Sequence, residues 1–180
     1  MRIGIISDTH GSLHYLNKAL EAIGSCDYIL HAGDILYHGP RNPLPEGYSP
    51  KDVAETLNAL NNIYFVSGNC DGDVDQMVIR HPIQSPYTVM HIGGIKIMVC
   101  HGYKEPLDDT VAYAKRCGFD LFVYGHTHVK ELRKDEDLVV LNPGSTSLPK
   151  DASHSVAVIE DSTIRLIDIL SGDMLGELKM

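Results

Sequence analysis

The stretch Arg2-Ile3-Gly4-Ile5-Ile6-Ser7-Asp8-Thr9-His10 decides the fold. A short apolar run of strand type ends abruptly in a carboxylate and an imidazole one residue apart. Strand-type runs that end in polar residues return further along the chain. Tyr28-Ile29-Leu30 runs into His31-Ala32-Gly33-Asp34, and Ile63 to Val66 runs into Ser67-Gly68-Asn69-Cys70-Asp71. A later strand ends in Cys100-His101-Gly102, and the run from Leu121 to Tyr124 ends in Gly125-His126-Thr127-His128. Short apolar runs closed by glycine and polar residues read as buried strands. In α/β sheets, ligands bind beyond the carboxyl ends of the strands, so these loops can meet over one site.

The segments between the strands complete the pattern. Ser12 to Gly24 reads as a helix with Leu13, Leu16, Leu20 and Ile23 on one face and Gly24 as its stop. Ser49-Pro50-Lys51-Asp52 is a helix start, with Ser49 as N-cap, Pro50 in the first turn and Asp52 near the positive helix end. Gly93-Gly94 marks a hairpin between the runs 87–92 and 95–100. Leu107 to Cys117 reads as a helix closed by Gly118. The tail reads as strands at Leu138 to Leu141, Ser155 to Glu160, Thr163 to Ile169 and Gly176 to Lys179. Strand–helix alternation followed by β-rich segments predicts an α/β fold with two sheets. With no linker or repeat, residues 1–180 are expected to form a single domain.

Composition narrows the function. Of 180 residues, 43% are hydrophobic and 22% charged, which suits a globular chain and excludes wholesale disorder. A net charge of −9 argues against a broad grip on a nucleic-acid backbone, so no long nucleic acid is expected as partner. No apolar run approaches the roughly 18 residues of a membrane span, and the N-terminus lacks signal-peptide features, so a cytoplasmic protein without membrane contact is expected. The four cysteines show no close pairing and read as reduced thiols.

Asp8, His10, Asp34, Asn69, His101, His126 and His128 offer oxygen and imidazole donors without thiolates. That mixture suits Mn, Zn, Fe or Mg better than a structural zinc site. The set exceeds what one ion usually takes from a protein, so two metals sharing a carboxylate fit better. Glycines beside Asp34, Asn69, His101 and His126 let the backbone turn sharply and approach closely. The alternative is a set of buried or turn-capping polar residues.

Asp8-x-His10, Gly33-Asp34, Gly68-Asn69-x-Asp71, His101-Gly102 and Gly125-His126-x-His128 resemble, in order and spacing, the motifs of the calcineurin-like metallophosphoesterases. The segments 38–48, Gly68-Asn69-Cys70-Asp71 and Asn142-Pro143-Gly144-Ser145 resemble the YfcE-type bacterial branch of that family, which extends the likeness over nearly the whole chain. The resemblance implies an αββα sandwich, two stacked β-sheets flanked by α-helices. It implies one divalent ion on Asp8, His10, Asp34 and His128 and a second on Asp34, Asn69, His101 and His126, with Asp34 as the bridge. It also implies in-line attack on phosphorus by a metal-bridging hydroxide. Manganese is the first choice of metal, with Zn, Fe, Ni and Mg open. A homodimer or homotetramer is compatible with the family.

Asp34, Asn69, Cys70 and Asp71 are the candidate catalytic residues. Many family members carry histidine where this chain has Cys70. A protonated thiol can donate a weak hydrogen bond but cannot match imidazolium as an acid or a charge. Leaving groups of low pKa should suffer least, which favours a small activated phosphodiester as substrate. Equally, Cys70 could be a small packing residue. Asp71 is expected to orient a neighbour by hydrogen bonding. His38 and Arg41, in the proline-rich loop 36–48, are within plausible reach of a phosphate, although a surface loop explains them too. His31 is left out of the site. The competing functions are a phosphomonoesterase or nucleotidase, and a non-catalytic metal-binding interaction scaffold of the same fold.

Overall fold

The computed structural model describes residues 1–180. In chain order the elements are β1 (Arg2–Ile6), α1 (Leu13–Ile23), β2 (Tyr28–His31), α2 (Pro50–Asn58), β3 (Ile63–Val66), α3 (Asp73–Val78), β4 (Ile83–Gln84) and β5 (Tyr87–Ile92). They continue with β6 (Ile95–Cys100), α4 (Leu107–Arg116), β7 (Leu121–Val123), β8 (Glu131–Asp135), β9 (Leu138–Asn142), β10 (Ser155–Glu160), β11 (Thr163–Asp168) and β12 (Met174–Lys179). One sheet has the order β12-β11-β10-β1-β2-β3-β4 and the other β5-β6-β7-β9-β8. Strands β1 to β4 run parallel, as do β6, β7 and β9.

Alternation along each strand builds the layers. Ile3 and Ile5 of β1 face the second sheet and pack with Val99, Val123 and Leu141. Ile6, Ile29 and Phe65 face the other way, onto Leu16 and Ile23 of α1 and Val53 and Leu57 of α2. The outer face of the second sheet, with Met98, Phe122 and Val140, is covered by Val111 and Ala114 of α4. The result is the expected helix–sheet–sheet–helix sandwich. Gly4 lets α1 sit directly on β1, since a Cβ there would lie 2.7 Å from the Ile23 side chain.

Local chemistry sets the helix ends. The Ser12 hydroxyl accepts from the Tyr15 N–H at 3.2 Å, and α1 stops at Gly24 in the left-handed region. Ser49 differs from expectation: its hydroxyl donates to the Asp52 carboxylate at 2.6 Å and caps no backbone N–H. The helix 107–117 ends at Arg116, with Gly118 at φ +66° beyond it. Strand β8, absent from the sequence reading, is an edge strand with residues Glu131, Arg133 and Asp135 on one face. Arg133 pairs with both acids, at 2.7 and 2.9 Å, and such charged edges resist pairing with other chains. No helix is long and apolar enough to cross a membrane.

Candidate metal centre

The carboxyl ends of β1, β2, β3, β6 and β7 meet at one rim of the sandwich. Backbone bonds fasten the loops together: Asp8 N–H donates to Gly33 at 3.0 Å, His10 N–H to Asp34 at 3.0 Å, and Gly125 N–H to His101 at 3.1 Å. Asp8, His10, Asp34, His126 and His128 all have positive φ, between 44° and 66°. That region is unfavourable for residues with a Cβ and concentrates at functional sites. Gly68 is required where it stands, because a Cβ there would collide with the Asp34 carboxylate.

One ligand atom from each of Asp8, His10, Asp34 and His128 lies within 4.8 Å of the others, and all four residues are buried. Three imidazoles are oriented by the backbone. Nδ1 of His10, His101 and His128 donates to the carbonyls of Tyr37, Ala32 and Leu148 at 2.8, 2.7 and 2.6 Å. A carbonyl can only accept, so Nδ1 carries a proton and Nε2 is the atom turned inward. His10 Nε2 and His128 Nε2 face each other at 3.2 Å.

Each carboxylate has one oxygen fixed and one free. Asp8 Oδ2 accepts from Ser7 Oγ at 2.6 Å and His126 N at 3.2 Å, leaving Oδ1 3.2 Å from His128 Nε2. Asp34 Oδ1 accepts from Cys70 N at 2.8 Å, leaving Oδ2 3.3 Å from His101 Nε2 and 3.7 Å from His10 Nε2. Asp8 Oδ1 and His101 Nε2 are buried without a hydrogen-bond partner. Unpartnered atoms of hard and borderline ligand groups, converging on one point, fit a divalent cation.

The electrostatics say the same. Burial would raise Asp8 and Asp34, but the facing imidazoles hold both below the usual carboxylate range. Burial opposes charge on His101, yet Asp34 and Asp8 outweigh it and push it up to about 9. His128 is also raised against burial, by Asp8, whereas burial lowers His10 and His126. The pocket is therefore one that stabilises positive charge between two carboxylates.

The remaining expected residues sit at its edge. Asn69 Oδ1 and His126 Nδ1 are 2.7 Å apart; Asn69 is exposed and His126 half-buried. Asp71 pairs with no cationic side chain. Its carboxylate accepts from the backbone N–H groups of Asp34, Ile35 and Gly68 at 2.8, 2.7 and 2.7 Å, and burial still pushes it up to about 6. The Cys70 thiol accepts from Asn69 Nδ2 at 3.3 Å, and burial followed by the Asp34 carboxylate pushes it up to about 12. His38 is partly buried between Tyr37 and Tyr48, with Nδ1 unpartnered, and Arg41 is exposed.

Residues that the sequence reading passed over hold this frame. His31 Nε2 pairs with Thr9 Oγ1 at 2.9 Å, between the two first-strand donors, and its Nδ1 accepts from Gly33 N at 3.2 Å. Asn142 Nδ2 donates to Gly125 O at 2.8 Å and Thr127 Oγ1 at 3.0 Å. Ser145 and Ser147 both donate to the Asp8 carbonyl at 2.9 Å. The only signal for His31 was its place at a strand end; Asn142 and Ser145 were marked only by the segment shared with the YfcE-type branch, and Ser147 by nothing.

A sandwich with donors gathered at the strand ends defines a class. The chain belongs to the calcineurin-like phosphoesterase superfamily, whose domain matches residues 1–163. It is 33% identical over 181 aligned residues to phosphodiesterase YfcE of Escherichia coli K12, covering 98% of this chain and 97% of that one. The solved structure of the E. coli YfcE phosphoesterase matches with a TM-score of 0.88 at 32% identity, over 99% of each chain. Vps29 of Entamoeba histolytica, solved with zinc, shares the fold at a TM-score of 0.67 and 21% identity, over 99% of each chain.

Proposed function

We propose that this chain, acting as one domain of residues 1–180, is a metal-dependent phosphodiesterase that hydrolyses a small phosphodiester at a two-metal centre. The observation that carries this reading is the pair of orphaned buried donors, Asp8 Oδ1 and His101 Nε2, aimed into a cluster with His10, Asp34 and His128. The likeness to the E. coli phosphodiesterase supports diester chemistry. Asp8, His10, Asp34 and His128 would hold one cation; Asp34, Asn69, His101 and His126 would hold the other, with manganese the first choice. When bound, two such cations acidify water to give a nucleophile at neutral pH and compensate charge on the phosphoryl oxygens.

The protein's own residues fix the rest. Asp71 ties the loops carrying Asp34 and Asn69 to one carboxylate, so both donors keep their spacing. Cys70 beside Asp34 stays a neutral thiol, able to donate a weak hydrogen bond to a departing oxygen but not to supply charge. Alkoxides need a full proton and phenolates do not, so aryl diesters are the better substrates.

The test is hydrolysis of bis-p-nitrophenyl phosphate and p-nitrophenyl phosphate by metal-stripped protein before and after manganese is restored. Diester turnover that requires metal, exceeds monoester turnover and falls by more than about a hundredfold in Asp34→Asn is expected. Folded protein that binds two metals and turns over neither compound would overturn the reading in favour of an interaction scaffold.

A further inference from the structure

A cavity of about 500 Å³ opens beside the candidate centre, between the start of β5, the outer face of β6 and helix α4. That volume is typical of small-molecule sites. Its inner wall is apolar, made by the buried side chains of Met98 and Cys100. Tyr87, Tyr103 and Tyr113 line it from three separate segments, and each is roughly two-fifths exposed, at 43%, 37% and 41%. Nothing in the fold requires three half-exposed aromatic rings from different elements around one opening.

The cavity and the centre share a wall. His101 and Gly102 border the cavity, and His101 is the residue whose Nε2 faces Asp34 at 3.3 Å. The Tyr103 ring lies edge-on to His101 at 5.8 Å between centroids, and 6.2 Å from His126. A phosphoryl group at the centre would therefore have one ester substituent directed along Tyr103. The polar lining sets its charge. Lys104 is occupied with Ser85 Oγ at 3.0 Å and with the Tyr103 ring at 5.7 Å, while Glu105 and Asp109 add carboxylates. A second anionic group on the substrate would be repelled there, whereas a neutral flat ring gains stacking and apolar contact.

We propose that this cavity is the subsite for one organic substituent of the substrate, and that it selects a neutral planar aromatic group, an aryl ring or a nucleobase. The proposal rests on the phosphoesterase reading of the adjoining centre. Tyr113 and Thr110, both on α4, belong to the subsite alone, which separates its test from that of the centre.

Calorimetry on the manganese-loaded protein would compare phenylphosphonate with methylphosphonate, which present the same anion with and without a ring. Phenylphosphonate should bind about tenfold more tightly, as expected for one stacked ring. Tyr113→Ala, which removes a wall, and Thr110→Trp, which fills the space, should each bring that preference close to unity. Uridine 5′-monophosphate forms the second arm: a loss of its affinity in both variants assigns the ring to a nucleoside, and a loss confined to phenylphosphonate assigns it to an aryl ester. Equal affinities in the wild type, or a preference untouched by both variants, overturn the subsite. If diester turnover persists in that case, the phosphodiesterase reading stands alone. Absence of both phosphonate binding and diester turnover overturns the two together.

Discussion

The two halves of the centre are held in different ways. Around Asp8, His10 and His128 the side chains are buried, and both imidazoles are tied through Nδ1 to backbone carbonyls. Around Asn69 and His126 the site opens to solvent: Asn69 is exposed, His126 is half-buried, and the two bond to each other at 2.7 Å. The first half has its lone pairs aimed before anything binds. In the second half His101 is aimed in the same way, but Asn69 and His126 satisfy each other, so a cation taken up by that pair has to replace their hydrogen bond, at a cost of about 1 kcal/mol. Preorganisation thus differs between the two halves, and Asp34, within 3.7 Å of His10 and 3.3 Å of His101, lies where they join.

The sharpest way to break this comparison is to remove one imidazole from each half. His10→Ala should lower metal affinity by more than about a hundredfold, because the remaining buried carboxylates lose a fixed partner. His126→Ala should leave one tightly held cation. Metal content after dialysis against a weak chelator reads both, and equal retention in the two variants would erase the distinction. Next comes Asp71→Ala, which leaves three backbone N–H groups without their acceptor. It should cost about 3 kcal/mol of stability and about tenfold to a hundredfold in activity, by denaturant melts and diester kinetics. A normal melt would mean that water replaces the carboxylate.

His31 gives an effect that is spread over pH and has a definite sign. Burial pushes it down to about 3, so in the metal-free folded chain it stays neutral where the unfolded chain, titrating near 6.5, is already protonated. The unfolded state then binds more protons, and stability falls as pH drops from about 6.5 toward 3. The slope from this one group is up to about 1.4 kcal/mol per pH unit. An imidazole resonance of His31 that titrates above pH 5 would contradict it. Cys70→Ser should change aryl-diester turnover least, by less than about threefold, since one neutral donor replaces another; a large loss would give the thiol a role beyond that of a neutral hydrogen-bond donor.

Much of this was legible in the sequence, and the reason is local. Asp8, Asp34, His101 and the pair His126 and His128 follow apolar runs directly, so strand ends and donor residues could be read together. What escaped was set by distant contacts. The alternating charges of Glu131 to Asp135 gave β8 no apolar face to read, and only its pairing with β9 makes it a strand. Helix α3 has just six residues, with Met77 and Val74 exposed, so no buried stripe announces it. The positive φ of five donor residues depends on loops locked against each other, which neighbouring residues alone do not encode.

The clasp of Ser145 and Ser147 on the Asp8 carbonyl reaches across 137 and 139 positions of the chain, and β10 lies antiparallel beside β1. The first donor of the cluster to be synthesised is thus locked in place by a segment that follows every other donor in the chain. Contacts of such separation are closed late in folding, because loop closure precedes any gain from them. A growing chain carries its metal-binding residues without the enclosure that aims them until that later segment has been made. Metal capture is thereby coupled to completion of the fold, and a nascent or truncated chain presents only scattered, flexible donors.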